Sequence, residues 1–385
     1  MAKKSTSATA TITTNKVEFK TEDLQELCTK VAKGVGNDKI KETSALLRIK
    51  LEKNIFTITS TDLTTNVEVK KDKVKGSDFE LLIKADPFIK LVSKTTSKDI
   101  ILKIVPSKSG DGNMKLEVKG NGNYSFETVM LPEGDIFPDY SFGPDDAVET
   151  VTIKRAIINR AVSNSKQATS DDNADDLLTA IYFGDEVMSS DAEKAAALSI
   201  SVFDKEVLLR PETINLLSIF EDDDLNVVFC EDRLIISDSK SIVYTAQMPD
   251  IDQFPVDAIK GTIYEAEYPY TCLVDKAELL ACIDRLCIFT GNYKVNAIEL
   301  VFGEKSVTLS NKFEPNAAET IDYAEGSEGC KHFTQSIKAE ALRGQIEVVG
   351  KTVKISYGND TALKITNDDL ELVVAFLEDE QLAGE

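Results

Sequence analysis

The chain has 385 residues, 42 % of them hydrophobic and 29 % charged, enough for two or three domains with cores of their own. With 66 acidic against 44 basic residues the net charge is −22, which argues against indiscriminate attraction to nucleic-acid phosphates unless the cations are grouped. No apolar run approaches the ~20 residues of a membrane span, the polar opening Met1–Lys16 has no signal-peptide core, and six cysteines without a Cys-x-x-Cys pair predict reduced, cytoplasmic thiols.

In chain order, a helix begins near Thr21 with Leu24, Leu27, Cys28 and Val31 as its apolar stripe, and Gly34 and Gly36 end it. Leu46–Lys70 alternates as an antiparallel strand pair, and Phe79–Lys84 is a third strand. A second helix starts at Asp86-Pro87 and runs to about Lys98. Strands Ile100–Val105 and Met114–Lys119 follow around Gly110-Asp111-Gly112. The stretch Tyr124–Pro138, YSFETVMLPEGDIFP, returns as Ser241–Pro255, SIVYTAQMPDIDQFP: a strand, Met and Pro, an acidic turn with Asp135 or Asp252, then Phe-Pro. Between the two lie a helix Thr152–Gln167, an acidic loop Asp171–Asp176, a strand pair in Leu177–Val202 and a strand Glu206–Leu209. A helix Pro211–Phe220 and strands Asn226–Cys230 and Arg233–Ser237 complete this part. The last third repeats the order: helix Asp275–Thr290, a strand pair in Ala297–Tyr323, helix Lys338–Val349, and strands Thr352–Tyr357, Leu363–Thr366 and Asp369–Asp379. The expected fold is therefore α+β, with one module used three times and boundaries giving domains 1–145, 146–262 and 263–385.

Catalytic and cofactor chemistry finds little support. The single histidine, His332, leaves no His-based zinc site and no Ser-His-Asp triad. Acid clusters Asp171–Asp176 and Glu221–Asp224 lack the order of a calcium loop. Gly344–Thr352, GQIEVVGKT, has five residues between its glycines and leads from helix to strand, the reverse of a phosphate loop. Neither a metal nor a cofactor is expected.

The cations, by contrast, are grouped. Phe88–Lys98 holds Lys90, Lys94 and Lys98 without an acid, and their i, i+4, i+8 spacing predicts one helix face. Thr152–Gln167 holds Lys154, Arg155, Arg160 and Lys166, again without an acid, and Cys28–Lys41 carries Lys30, Lys33, Lys39 and Lys41 against Asp38 alone. The last third adds Arg285, Lys294, Lys338 and Arg343. A solvated face explains any one such helix. Basic helices at equivalent places in a repeat predict instead a shared surface that meets phosphate without reading sequence.

Over residues from about Lys16 to Asp379 the chain resembles the bacterial-type DNA polymerase III beta subunit, the sliding clamp. The resemblance rests on SALLRIKLEKNIFTITSTDLTTNVEV with its Thr61-Asp62-Leu63 turn and on Ser190-Asp191 at the family's Thr-Asp-Gly-His-Arg turn. The Phe-Pro of the second linker and CLVDKAELLACIDRL followed by GNYKVNAIELVF complete it. It implies a ring of two three-domain subunits around duplex DNA, helices lining the hole, a separate ATPase that loads it, and no catalysis. The replicative polymerase and other clients would dock peptides between the second and third domains. The family's turn reads here Ser190, Asp191, Ala192, Glu193, Lys194, Ala195, its linker proline is Pro255, and its closing strand reads Val373, Val374, Ala375, Phe376, Leu377. The family's late Met-Pro and basic residue are absent and an acidic tail, Glu380–Glu385, follows, so the resemblance implies a pocket with its own client preference, as in a dedicated viral or plasmid replication system. Two other classes fit the sequence less well: a shell or tail component built of repeated modules without DNA, and a hydrolase or transferase using an acid pair.

Overall fold

The computed structural model describes residues 15–36, 41–107, 114–132, 136–138, 149–170, 176–231, 233–248, 250–289, 296–314, 316–327 and 329–378. Most of the polar opening, Lys39, the Gly110-Asp111-Gly112 turn, Asp135, the loop from 171 to 175, Lys294 and the acidic tail lie outside them. The described residues form six successive blocks, each a strand, a helix and three more strands. The first block is β1 (Asn15–Lys20), α1 (Thr21–Val31), β2 (Leu46–Glu52), β3 (Ile55–Thr61) and β4 (Thr65–Lys71). The second is β5 (Phe79–Lys84), α2 (Ala85–Lys94), β6 (Asp99–Pro106), β7 (Met114–Lys119) and β8 (Asn123–Glu127). In the third, β9 (Glu149–Lys154) and α3 (Arg155–Ser165) precede a short α4 (Asp176–Thr179), β10 (Ile181–Phe183), β11 (Val187–Ser190) and β12 (Lys194–Leu198). The fourth runs through β13 (Val207–Leu209), α5 (Pro211–Leu216), β14 (Asp224–Phe229), β15 (Arg233–Ser237) and β16 (Ser241–Ala246). A connection containing α6 (Val256–Lys260) leads to the fifth: β17 (Tyr270–Asp275), α7 (Lys276–Leu286), β18 (Ala297–Phe302), β19 (Ser306–Asn311) and β20 (Ala318–Asp322). The sixth is β21 (Phe333–Lys338), α8 (Ala339–Glu347), β22 (Thr352–Tyr357), β23 (Ala362–Asn367) and β24 (Leu370–Ala375). None of the described helices is long and apolar enough to cross a membrane.

Blocks associate in sister pairs by exchanging their first strands. β1 pairs with β6 while β5 pairs with β2; β9 lies beside β14 while β13 pairs with β10; β17 pairs with β22 while β21 pairs with β18. Each exchange produces two four-stranded antiparallel sheets. Four of these six sheets then join through their last strands, β4 to β16 and β12 to β24, leaving two eight-stranded and two four-stranded sheets. By compactness the chain divides into residues 1–152 with 215–246, and residues 153–214 with 247–385.

In the first unit α1 buries Leu24, Leu27, Cys28 and Val31 as its spacing predicts, and α2 buries Phe88 and Val92. The Gln25 amide caps the end of α2, donating to the carbonyls of Val92 (3.0 Å) and Thr95 (2.9 Å). In the second unit the Lys276 ammonium does the same for α8, at 2.8 Å from the carbonyls of Glu347 and Val349. The Thr61-Asp62 and Ser190-Asp191 turns are one device. Asp62 Oδ1 accepts from the backbone N–H of Thr64 (2.9 Å) and Thr65 (2.6 Å), and Asp191 Oδ1 from those of Glu193 (2.9 Å) and Lys194 (2.6 Å). The preceding hydroxyl donates to the carbonyl of Thr65 or Lys194, at 2.9 Å in both.

These turns place Leu63 at φ 82° and Ala192 at φ 71°, where a side chain costs about 1–2 kcal/mol. Ala192→Gly should therefore stabilise the protein by about 0.5–1 kcal/mol, read as a higher urea midpoint with unchanged m-value.

Two expectations are corrected. The modules open with a strand, not a helix: β1 was hidden because only Val17 and Phe19 alternate inside a polar opening. Leu46–Lys70, Leu177–Val202 and Ala297–Tyr323 each hold three strands rather than two.

Candidate nucleic-acid interface and docking site

The predicted cations fall into distinct environments. Lys30 is buried, and its ammonium sits 3.2 Å from Glu26 and 2.6 Å from Glu221; Lys240 reaches Glu221 at 3.0 Å and Glu26 at 3.7 Å. Those two lysine partners hold the Glu221 carboxyl at about 2, far below its ordinary value. Lys30 is thus committed to an internal network. Arg160 pairs with Asp369, and Lys338, half-buried, lies 3.0 Å from Glu193. Arg285 forks onto Glu319 at 2.7 and 2.5 Å, which lowers that carboxyl, while Arg343 binds Asp284 (2.8 Å) and Glu347 (2.5 Å).

Lys33 is exposed and donates to Ser218 Oγ at 2.6 Å. Lys90 is exposed beside Asp86 at 2.8 Å. Lys94 and Lys98 are exposed and make no ion pair among the described residues, but they do not share a helix face. α2 stops at Lys94 because Thr95 turns extended and its hydroxyl donates to the Leu91 carbonyl at 2.9 Å. Lys154 ends β9, Arg155 is half-buried at the start of α3, and Lys166 is exposed in the turn after it.

A further pattern adds Lys20, Lys84 and Arg210 to the expected Lys154 and Lys338. Lys20, Lys84, Lys154, Arg210 and Lys338 are the last residue before the helix in five of the six blocks, with Asp275 in the remaining one. A helix N-terminus disfavours a cation, so these positions do not serve helix stability. The signal was present as an apolar residue and then Lys or Arg in EFK, LIK, TIK, LLR and SIK, visible once the helices are known to start directly after it.

At the predicted docking site, Ser190, Asp191 and Lys194 build the β11–β12 turn, the Lys194 ammonium lying 3.0 Å from Asp191 and 2.7 Å from the Gln167 carbonyl. Pro255 precedes α6, and beneath it Phe254 stacks on Tyr182 with centroids 5.2 Å apart and planes 9° from parallel. Around that stack Met188, Ala195, Met248, Ile259 and Val373 form one buried cluster, rimmed by half-buried Leu177, Ile251 and Val256. The Tyr182 hydroxyl donates to Glu206 at 2.6 Å, and burial raises its pKa beyond the usual tyrosine range.

The closing strand does not present all its predicted residues to that cluster. Side chains alternate across a strand, so Val373 joins it, while Val374 and Phe376 turn to the opposite face. There Phe376 packs on Phe333 (6.0 Å), next to the stacked Phe302 and Tyr357 (4.0 Å). Ala375 and Leu377 are half-buried.

The last strands of the two four-stranded sheets form a third feature. Where such strands are joined, in β4, β12, β16 and β24, half or more of each strand is buried; β8 and β20 have a neighbour on one side only among the described residues and are mostly exposed. Each has apolar surface beside it. Tyr124 of β8 is 44 % exposed at a groove of about 550 Å³ shared with Leu91, Phe126 and the α2 lysines 90 and 94. Just after α7, which Arg285 ties to β20, Ile288 and Phe289 are 76 % and 51 % exposed.

No protein-family model and no curated protein sequence matches the chain. Solved structures do. It is similar to the C. crescentus beta sliding clamp with a TM-score of 0.82 at 13 % identity, over 95 % of this chain and 99 % of that one. DNA polymerase III subunit beta from Borrelia burgdorferi gives 0.80 at 16 % identity, over 94 % and 99 %. The Bacillus subtilis DNA polymerase sliding clamp gives 0.80 at 14 %, over 94 % and 99 %. The chain has the fold of the beta sliding clamps from end to end.

Proposed function

We propose that the protein is a DNA sliding clamp, a non-catalytic processivity factor whose domains divide near residues 145 and 262. The observation that carries this is the unfinished repeat. Joining the last strands of successive sheets is the rule inside the chain, at β4–β16 and β12–β24, and β8 and β20 occupy the same place with no further strand on their outer edge among the described residues. Exposed, unpaired edges flanked by apolar side chains call for a partner strand. Pairing β8 of one copy with β20 of another continues the pattern, and doing so twice closes a head-to-tail dimer. Duplex DNA would pass through it, held by topology and by cations that no carboxylate has claimed. A replicative polymerase, and an ATPase that opens the ring, are the partners this reading requires. The face around Val373, Pro255, Ile251 and Val256 is the docking site it assigns to the polymerase.

Retention on DNA tests the reading. Once loaded, the protein should stay on nicked circular plasmid through a high-salt wash and leave when the plasmid is cut once. Equal retention on circular and linear DNA would end the encirclement reading and favour a repeat protein with another role. The phosphate-facing residues are tested separately. Replacing Lys33, Lys94 and Lys98 with Gln should flatten the log-affinity against log-salt slope for short duplexes by up to about 3 units. Arg285→Gln should change it by less than about 0.5, because Glu319 already neutralises that side chain.

A further inference from the structure

We propose that the two strand junctions inside the chain carry opposite charge codes that dictate which blocks join. The backbones of the two junctions are laid out alike. Thr65 faces Thr245 and Val69 faces Ser241 across β4–β16, while Lys194 faces Val374 and Leu198 faces Leu370 across β12–β24, in one register. The helix above each is anchored in the same way. Ser60 Oγ donates to the Val31 carbonyl (2.7 Å), and Ser189 Oγ to the Ser165 carbonyl (2.6 Å). The shared register and the shared helix anchor do not by themselves tell the block of α1 to join the sheet ending in β16 rather than the one ending in β24.

The charges do. The sixth residue of the helix meets the residue just before the last strand, and in the first junction these are Glu26 and Lys240. In the second they are Arg160 and Asp369, the same ion pair with its polarity reversed. A wrong join would set Glu26 against Asp369 and Arg160 against Lys240. The tenth helix residue adds to this. Lys30 is buried against Glu221, whereas its counterpart is Asn164, and the stretch between α8 and β22, Val348–Lys351, offers no carboxylate. A wrong join would therefore also bury Lys30 without that counter-ion. At the open edges the corresponding residues are Ala281 and Gly122, both uncharged. The tenth residue of α7 is Arg285, already paired with Glu319, so the helix-to-strand ion pair has no counterpart there.

Refolding tests the code. Glu26→Arg, Lys30→Asn, Glu221→Val and Lys240→Asp together give the first junction the residues of the second. After refolding from urea at micromolar concentration, the fraction of chains in oligomers above the parent's native mass should rise by about fivefold or more. A control adds Arg160→Glu and Asp369→Lys, which moves the missing polarity to the second junction, and should return that fraction to within about twofold of the parent. A fourfold variant that refolds like the parent overturns the proposal. So does a control that misassembles as much as the fourfold variant, since lost stability alone would then explain both. The readout is mass after refolding and involves no DNA, so it is independent of the clamp reading.

Discussion

In the head-to-tail dimer proposed above, replacing Ile288 and Phe289 together with Asp should reduce a particle of twice the chain mass to one of the chain mass at micromolar concentration. Both side chains are more than half exposed just after α7, the helix that Arg285 ties to β20, and burying an apolar side chain of this size contributes about 1.5–3 kcal/mol. A head-to-tail dimer has two identical seams, so each substitution counts twice. Losing four such contacts removes on the order of 6–12 kcal/mol, and placing carboxylates there adds a desolvation penalty. The dissociation constant should rise at least about 10⁴-fold. Neither residue belongs to the buried core of its own unit, so far-ultraviolet circular dichroism and the thermal midpoint of the dissociated chain should remain those of a folded protein. Sedimentation at several concentrations reads the mass. A variant that sediments as the parent does would place the assembly surface elsewhere, and retention on circular plasmid would then have to survive the substitution too.

How far the sequence anticipates this molecule depends on the range of the interaction. The β5 strand, the stripe of α1 and the hydroxyl-Asp turns at Thr61 and Ser190 follow from neighbours a few residues apart, and all are where local chemistry places them. The strand after each of those turns was merged with its predecessor, because Leu63 and Ala192 adopt positive φ without the glycine that would mark the break. The threefold repeat is visible through its Phe-Pro copies, whereas the sixfold one is not. Sister blocks share a pattern of burial but almost no residues, and the exchange of β1 and β5 is a long-range pairing that leaves no local trace. The same limit applies to the sites. Lys30 sits in a basic stretch by sequence, yet its ammonium faces Glu221 from a distant block. Phe376 follows Val373 closely, but strand alternation and Phe333 take it to the other face. Charge grouping along a chain reports where cations are, and only the fold reports which have already found an acid.

Glu221→Gln should destabilise the protein by about 2–3 kcal/mol at pH 7, because it leaves the buried Lys30 ammonium with Glu26 alone. The loss should be specific to the stranded charge. Lys30→Met with Glu221→Leu, which removes both partners and leaves apolar groups of similar size, should cost less than Glu221→Gln by itself. The pH dependence has a definite sign. The Glu221 carboxyl is held at about 2 in the folded protein, chiefly by its hydrogen bonds from Lys30 and then Lys240, against an ordinary value near 4.3 when unfolded. A carboxyl with a depressed folded pKa contributes stability that is complete above its unfolded pKa and is lost as the pH falls toward the folded one. Glu221 is about two-fifths exposed, so solvent screening reduces that contribution to on the order of 1–2 kcal/mol. The gap in urea-unfolding free energy between parent and Glu221→Gln should therefore be constant from pH 7 to about 5 and narrow from about 4.5 downward. A gap that stays constant down to pH 3 would show that the carboxylate charge is not what Lys30 needs, and that shape alone holds α1 against the loop before β14.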